Sequence, residues 1–354
     1  MKAGFAKQVD ATLMTQWAQQ CLQHCGASEK VAAAMAQQLV LGDLLGFRTH
    51  GLLRLRYNLN ELVAGRTKAE GNPRVIAERA AVATWDAELL SGLYVLPQAV
   101  ATAVAKARDY GTGTVVVRRA QHVASLACYL EAATDAGMLI TMMASTPGQS
   151  VVAPFGAKQA VFSPNPFAIG VPTQSEPILL DISLSMTAAG KVRAAIAEQR
   201  ELPYPALITP TGEYTTDATT FTGTPPSVLA CLGGEQLGYK GSGLTLFSEL
   251  WTMALSNYGR AQGLADSDAN SVFIQVLDPA AFGDKTAFLA ESQAQVEALQ
   301  RATPIDPQQP VRVPGQQALA AKREQLANGI YYSEAVWRQL EKCAAQCEIA
   351  LPAA

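Results

Sequence analysis

Charged residues make up only 16% of this 354-residue chain, against the roughly 25% usual for soluble domains. Fewer charges mean more covered surface, which favours an oligomer. No run approaches the ~18 apolar residues of a spanning helix, and Met1-Lys2-Ala3-Gly4 leads into a polar segment rather than an apolar leader. These absences speak against a membrane and for the cytoplasm. A net charge of -3 with scattered Lys and Arg supplies no basic field for phosphate backbones, which excludes nucleic acid as a partner. The six cysteines include two pairs spaced by four, Cys21/Cys25 and Cys343/Cys347, on predicted helices near opposite ends. With only His24 nearby no metal is expected, and the thiols read as small buried apolar side chains. Also missing is the dinucleotide fingerprint: Gly111-Thr112-Gly113 precedes a predicted strand, lacks a third glycine and opens no helix. A P-loop, a nucleophile elbow and HExxH are absent too.

What is present is enough chain for two domains and a clear change of periodicity along it. Ser28 is placed to cap a helix whose face is Val31, Met35, Leu39 and Leu44, stopped by Gly46. Leu52, Leu55, Leu59 and Leu62 mark a second helix, closed at Gly65. Strands are predicted near residues 81–85, 114–117, 139–144, 167–171, 178–180 and 272–277, and helices near 98–110, 123–136 and 244–255. The end returns to helix at 288–301, 317–327 and 333–347 after a Pro-rich connector. This pattern predicts a helical domain built from both ends, residues 1–75 with 285–354, around an α/β or α+β domain of residues 76–284.

Three histidines make a short list, and histidine is the side chain best suited to proton transfer near neutral pH. His24 lies on an ordinary helix and reads as structural. His50 stands at a helix junction in Arg48-Thr49-His50-Gly51-Leu52-Leu53-Arg54. The Thr hydroxyl there can orient the imidazole, the Gly admits a ligand to the backbone, and Arg54 can clamp a carboxylate beside it. A junction His that makes only capping bonds is the competing reading. His122 precedes Val123, Ala124, Ser125 and Leu126 at the predicted start of a helix, where unpaired N–H groups attract anions and disfavour imidazolium. Gly238-Tyr239-Lys240-Gly241-Ser242-Gly243 likewise leads into the predicted 244–255 helix, placing bare N–H groups and an ammonium where a phosphate or ribose would fit; a plain glycine turn explains the glycines equally well.

At these residues the sequence resembles the type-2 malate/L-lactate dehydrogenase family, whose relatives include sulfolactate, ureidoglycolate and 2,3-diketogulonate oxidoreductases and the piperideine/pyrroline-2-carboxylate reductases. The shared landmarks run along most of the chain: Thr49 to Arg54, His122 with its helix, Val152-Ala153-Pro154-Phe155-Gly156, Asn165-Pro166, Asp181-Ile182-Ser183, Lys240-Gly241 and Arg312-Val313-Pro314-Gly315. The resemblance implies an α+β fold with a non-Rossmann cofactor domain on a largely antiparallel sheet, a helical domain from both termini, and a homodimer. It implies NAD or NADP, with NADPH favoured, against His122, Val123, Ala124, Ser125, Leu126, Thr146, Asp181, Ile182, Ser183, Lys240, Gly241, Pro314, Gly315 and Gln316. His50 then looks like the proton donor oriented by Thr49, with His122 the rival acid/base, and Arg54, Arg48, Gly190 and Lys191 facing a small carboxylate substrate. The implied reaction is hydride transfer between nicotinamide and C2 of a 2-oxo or 2-hydroxy acid.

The sequence also departs from the family pattern. Pro164 replaces a substrate-facing Thr, and Ala189 stands where Arg is common. Lys191 resembles the hydroxy-acid dehydrogenases, whereas His122-Val123-Ala124-Ser125-Leu126 is nearer the imine reductases. Reduction of a cyclic imino acid, or binding without turnover, are therefore the alternatives.

Overall fold

The structure is a computed structural model that describes residues 7–262 and 268–353. It opens with β1 (Lys7–Val9), α1 (Ala11–His24) and α2 (Glu29–Leu44). Gly46, at φ +85°, ends that helical run. Two 3-10 turns, Arg48–His50 and Leu52–Arg54, then lead into α3 (Leu55–Val63). Ser28 does occupy the cap position of α2, but its hydroxyl makes no capping bond.

The sheet domain follows with β2 (Arg74–Arg79), β3 (Val82–Asp86), α4 (Gly92–Tyr110), β4 (Thr112–Ala120), α5 (Ala127–Thr134), β5 (Leu139–Ser145), β6 (Pro166–Val171) and β7 (Ile178–Ser183). Next come α6 (Ala189–Ala197), the short strands β8 (Leu207–Ile208), β9 (Tyr214–Thr215) and β10 (Val228–Leu229), then α7 (Gly234–Glu249), β11 (Asn270–Leu277) and α8 (Lys285–Arg301). The chain closes with α9 (Gln316–Asn328), β12 (Ile330–Tyr332) and α10 (Glu334–Cys347).

The main sheet has seven strands in the order β2-β3-β4-β11-β5-β6-β7. Every pairing is antiparallel except β3 with β4, which α4 connects. The largely antiparallel, non-Rossmann sheet expected from the sequence is therefore the one observed. At its centre β11 buries Val272, Phe273, Ile274 and Val276, apolar residues on both faces interrupted only by Gln275, as a strand covered on both faces requires. The Gly-Thr-Gly that joins α4 to β4 has a packing explanation. Gly111 ends α4 in the left-handed region, and a Cβ on Gly113 would meet the Ala103 carbonyl oxygen at 1.9 Å. Helix and strand touch there, so no phosphate loop is involved.

The two ends of the chain meet: β1 pairs antiparallel with β12, and α10 packs on α1 and α3. One continuous core joins Leu39, Leu55 and Leu59 of the leading helices to Leu96, Val117 and Ile274 of the sheet layer. A second core, with Val152, Val192, Leu207 and Leu229, lies beneath the three-stranded sheet β10-β8-β9. This small lobe thus has a hydrophobic core of its own. The terminal thiols also converge, because Cys347 Sγ reaches the Cys21 carbonyl at 3.7 Å, and burial raises the pKa of both. All six cysteines are free, and no metal cluster occurs among the described residues.

Two helix starts differ from the sequence expectation. α5 begins at Ala127 rather than near 123, because Ala124 adopts a left-handed φ of +54° that no helix continues through. α7 begins at Gly234, so Lys240, Gly241 and Gly243 lie inside a helix and not at its N-terminus. Their glycines serve contact instead: a Cβ on Gly241 would stand 2.1 Å from the Leu232 carbonyl oxygen. Strand β2 escaped the sequence reading because it is exposed throughout and carries no alternation to detect.

Candidate functional site

The junction between α2 and α3 opens onto a cleft of about 390 Å³, within the range of small-molecule sites. Thr49 and His50 form one wall, Ala124, Ser125 and Leu126 another, and the end of β7 with the first turn of α6 the third. Thr49 Oγ1 lies 3.0 Å from His50 Nδ1. The other ring nitrogen, Nε2, has no protein partner among the described residues. Burial first, and the Arg54 cation second, depress the His50 pKa from 6.5 to about 4. The imidazole is accordingly neutral at pH 7 in the free protein.

His122 lies behind this histidine rather than beside it. It is buried, at 9% exposure, and its Nε2 accepts a hydrogen bond of 3.2 Å from Arg54 Nε. That bond fixes the proton on Nδ1, and burial with the neighbouring Arg54 and His50 drives the pKa well below the ordinary value. The guanidinium of Arg54 lies 4.4 Å from the centre of the Tyr57 ring, which meets the His122 ring edge-on at 5.6 Å. Tyr57 in turn donates to Asp268 Oδ2 at 2.7 Å, while Gln149 donates to Oδ1 at 2.7 Å. Tyr57, Gln149 and Asp268 are the parts that sequence reasoning missed. Only Tyr57, three residues after Arg54 on one helical face, left any signal.

Asp181 on β7 marks the far end of the cleft. Its Oδ2 accepts from Ser125 Oγ at 2.7 Å and from Ala127 N at 2.9 Å, while burial raises its pKa. The start of α5 is therefore capped by a carboxylate of this chain, and an anion bound there must share it. Asp181 and Phe47 also line a second cleft of about 660 Å³, walled by Leu179, Arg312, Pro314 and Gly315. The two spaces adjoin at these two residues, and the pair is called the groove below. Gly315 is held at φ +87°, and a Cβ there would strike Leu179 at 2.8 Å, while Leu179 N donates to the Pro314 carbonyl at 3.1 Å. This turn docks the C-terminal helices directly onto β7.

Other expected site residues lie elsewhere. Arg48 turns to the rear, where Nη2 reaches Gln325 Oε1 at 2.5 Å and the guanidinium stacks 5.7 Å over the Tyr332 ring. In a 3-10 turn each residue is rotated about 120° from the last, so the neighbour of Thr49 faces away from the cleft. Behind the same loop the fully buried Asp43 accepts from Leu52 N and Tyr332 Oη, both at 3.1 Å, and burial pushes its pKa up to about 6. Thr146 bonds to Ser163 Oγ and Asn270 Oδ1, facing the sheet and neither cleft. Val123 is buried, with its carbonyl taken by Tyr129 Oη. Lys240 is exposed beside Tyr239 and lines neither cleft, and Gly241 is buried against Leu232. Gln316 accepts from Val313 N at 3.3 Å, while its neighbour Gln317 faces the groove. Ile182 and Ser183 do line the inner cleft, together with Lys191, and Gly190 abuts Thr49.

Pro164 lines the cleft as well. It is held there by a polar network: Asn165 Oδ1 accepts from Ser145 Oγ at 2.5 Å and Ser163 Oγ at 2.9 Å, and Asn165 Nδ2 donates to Glu249 Oε1 at 3.2 Å. Loss of the hydroxyl at this position therefore leaves the loop itself intact.

An imidazole at the wall of a cleft, with Arg54 bound to His122 behind it, agrees on this fold with the comparisons to known proteins. The family model described as malate/L-lactate dehydrogenase matches residues 9–341. The chain belongs to that family. It is an oxidoreductase, and the family implies a nicotinamide cofactor. It is 29% identical over 333 residues to an L-lactate dehydrogenase of Cupriavidus necator, covering 92% of this chain and 93% of that one. It is 27% identical over 326 residues to a Δ1-pyrroline-2-carboxylate/Δ1-piperideine-2-carboxylate reductase of Pseudomonas aeruginosa, covering 88% and 92%. The fold matches malate dehydrogenase from Pyrococcus horikoshii with a TM-score of 0.88 at 23% identity, across 99% of this chain and 98% of that one.

The groove suits the cofactor the family implies. Together its two parts have room for a dinucleotide. Among the described residues the outer part offers one cation, Arg312, and no carboxylate but Asp181, which Ser125 and Ala127 already engage.

Proposed function

We propose that this enzyme interconverts a small 2-oxo acid and its 2-hydroxy acid, with His50 as acid and base and NADP as the favoured cofactor along the groove. The observation that carries the reading is the His50 imidazole, held at Nδ1 by Thr49 and open at Nε2 toward the cleft. When bound, the nicotinamide supplies or accepts the hydride. His50 Nε2 gives a proton to the substrate oxygen as the alkoxide develops, or takes it back in oxidation. Because a hydroxyl can accept as well as donate, Thr49 holds Nδ1–H through both states. Arg54, fixed by His122 and Tyr57, takes the substrate carboxylate and thereby sets the carbonyl against Nε2. His122 is a positioning residue in this scheme.

Lys191 favours the 2-oxo acid over an imine. It places an ammonium in the cleft that holds His50, and a protonated imine is itself a cation that this charge repels. Arg312 supports NADPH, because it can pair with a 2′-phosphate while no free carboxylate lines the outer cleft to bind a bare ribose diol. The decisive experiment is a panel of pyruvate, oxaloacetate and piperideine-2-carboxylate, each with NADH and NADPH. Turnover of an oxo acid, faster with NADPH, is expected, and activity confined to the imine refutes the reading.

The assembly is proposed to be a homodimer. α7 and the π-helical segment after it, Leu250–Ala254, expose Leu237, Leu244, Phe247, Leu250, Trp251 and Leu255. Exposed apolar side chains gathered on one segment mark a surface suited to a protein partner. Sedimentation equilibrium should give a dimer mass for the wild type and a monomer mass for Phe247→Glu. A wild-type monomer at micromolar concentration would remove the dimer.

A further inference from the structure

The loop that brings Pro164 to the cleft is held from the end of α7. There the Glu249 carboxylate, its side chain 11% exposed, accepts at Oε1 from Ser163 N at 3.0 Å and from Asn165 Nδ2 at 3.2 Å, the residues on either side of Pro164. Arg260 engages the same carboxylate with both terminal nitrogens, and its Nη2 also donates to the Gln149 carbonyl at 2.9 Å. Gln149 Nε2 donates onward to Asp268 Oδ1, and Asp268 Oδ2 accepts from Tyr57, whose ring faces the Arg54 guanidinium. One run of polar contacts therefore joins the Pro164 wall of the cleft to the support of Arg54.

The residue types suit such a clamp. Every group around Glu249 is a donor, which an acceptor-only carboxylate satisfies, and Arg260 answers it with a donor-only fork. Directly after Glu249 the chain leaves the α-helix for the π-helical segment Leu250–Ala254. Such turns are rare and occur mostly at functional sites. Thr252 of that segment reaches Ser145 Oγ at 2.7 Å, and Ser145 donates to Asn165 Oδ1 at 2.5 Å, a second hold on the same loop.

We propose that Glu249 and Arg260 are positioning residues for the reaction: the pair fixes Pro164 in the cleft and, through Gln149, Asp268 and Tyr57, the direction of the Arg54 guanidinium. Neither residue lines the inner or the outer cleft, so each acts through others. The inference rests on Arg54 as the holder of the substrate carboxylate. Loosening the pair leaves the guanidinium charge in place, so the acid still binds but in the wrong attitude. The loss falls in kcat, whereas removal of Arg54 itself falls in KM.

The full-length protein is assayed on pyruvate and oxaloacetate with saturating cofactor, as wild type, Glu249→Gln, Arg260→Gln, the double variant, Gln149→Leu and Arg54→Met. Glu249→Gln turns an amide nitrogen against the Arg260 fork and lowers kcat about 10- to 100-fold, up to the effect of a misplacement of about 1 Å. KM for the acid and the Kd of the reduced cofactor, followed by its fluorescence, stay near wild-type values. The double variant is no slower than the slower single, because the two residues act as one unit. Gln149→Leu cuts the link to Asp268 but leaves the ion pair; it gives a smaller kcat loss with KM retained, and carries the test should the paired variants not fold. Wild-type kcat in Glu249→Gln or Gln149→Leu, or a loss shared equally with KM and cofactor affinity, overturns the positioning role. If Arg54→Met behaves as expected in that event, the 2-oxo acid reading stands. Wild-type kinetics in Arg54→Met, or no turnover of either acid, overturns both.

Discussion

His50→Ala lowers kcat for 2-oxo acid reduction by about 10³-fold or more, within the upper range for loss of a positioned acid or base, while cofactor binding followed by NADPH fluorescence is retained. Near wild-type turnover in the variant would remove His50 from the mechanism. The pH profile of the intact enzyme provides a second readout, and its sign follows from the depressed pKa of about 4. Reduction needs the protonated imidazole, so kcat/KM for the oxo acid rises about tenfold for each unit the pH falls, and levels off only near pH 4. Oxidation needs the neutral ring, so kcat/KM for the hydroxy acid is flat from pH 8 down to about 5 and declines below. A substrate carboxylate on Arg54 neutralises the cation that helps depress His50. The pKa read from kcat, which reports the complex, accordingly lies above that read from kcat/KM.

Arg54→Met removes more than a clamp. The carboxylate loses its bidentate partner, His122 Nε2 loses its donor, and the Tyr57 ring loses its cation. Removal of one partner from a buried charge-assisted pair costs about 2 to 5 kcal/mol, so kcat/KM for the oxo acid falls by a factor of about 30 to 5,000, chiefly through KM. In the same variant the midpoint of the kcat/KM profile for reduction moves upward from 4, because the cation is gone and desolvation alone still depresses His50. An unchanged midpoint would mean that Arg54 does not act on the imidazole. Arg54→Lys is not expected to rescue, since an ammonium is a point charge without the planar fork.

The proposed reactive centre could be picked out in the sequence because its residues are local. Thr49, His50 and Arg54 sit within six residues, and with three histidines in the chain His122 was an early candidate. The sheet was legible for a similar reason, since its buried strands carry β-branched runs that the periodicity finds. What supports the centre was not legible. Asp268 reaches Tyr57 from 211 positions away, and Asp43 meets Tyr332 across 289. No spacing rule links such pairs. Arg48 was misread because adjacency in sequence says nothing about direction in a 3-10 turn. Lys240 and Gly241 were misread because glycines that allow a helix to touch its neighbour look, in sequence, like glycines that leave a turn bare.

The pairing of the first strand with the last has a consequence for assembly of the groove. The loop carrying His50 is braced from behind by Gln325 and Tyr332, and the outer floor of the groove is the turn at Pro314 and Gly315. During synthesis, therefore, the imidazole emerges from the ribosome almost three hundred residues before the side chains that hold its loop. Substitutions at Gln325 in α9 or Tyr332 in β12 consequently weaken catalysis without touching any reacting atom.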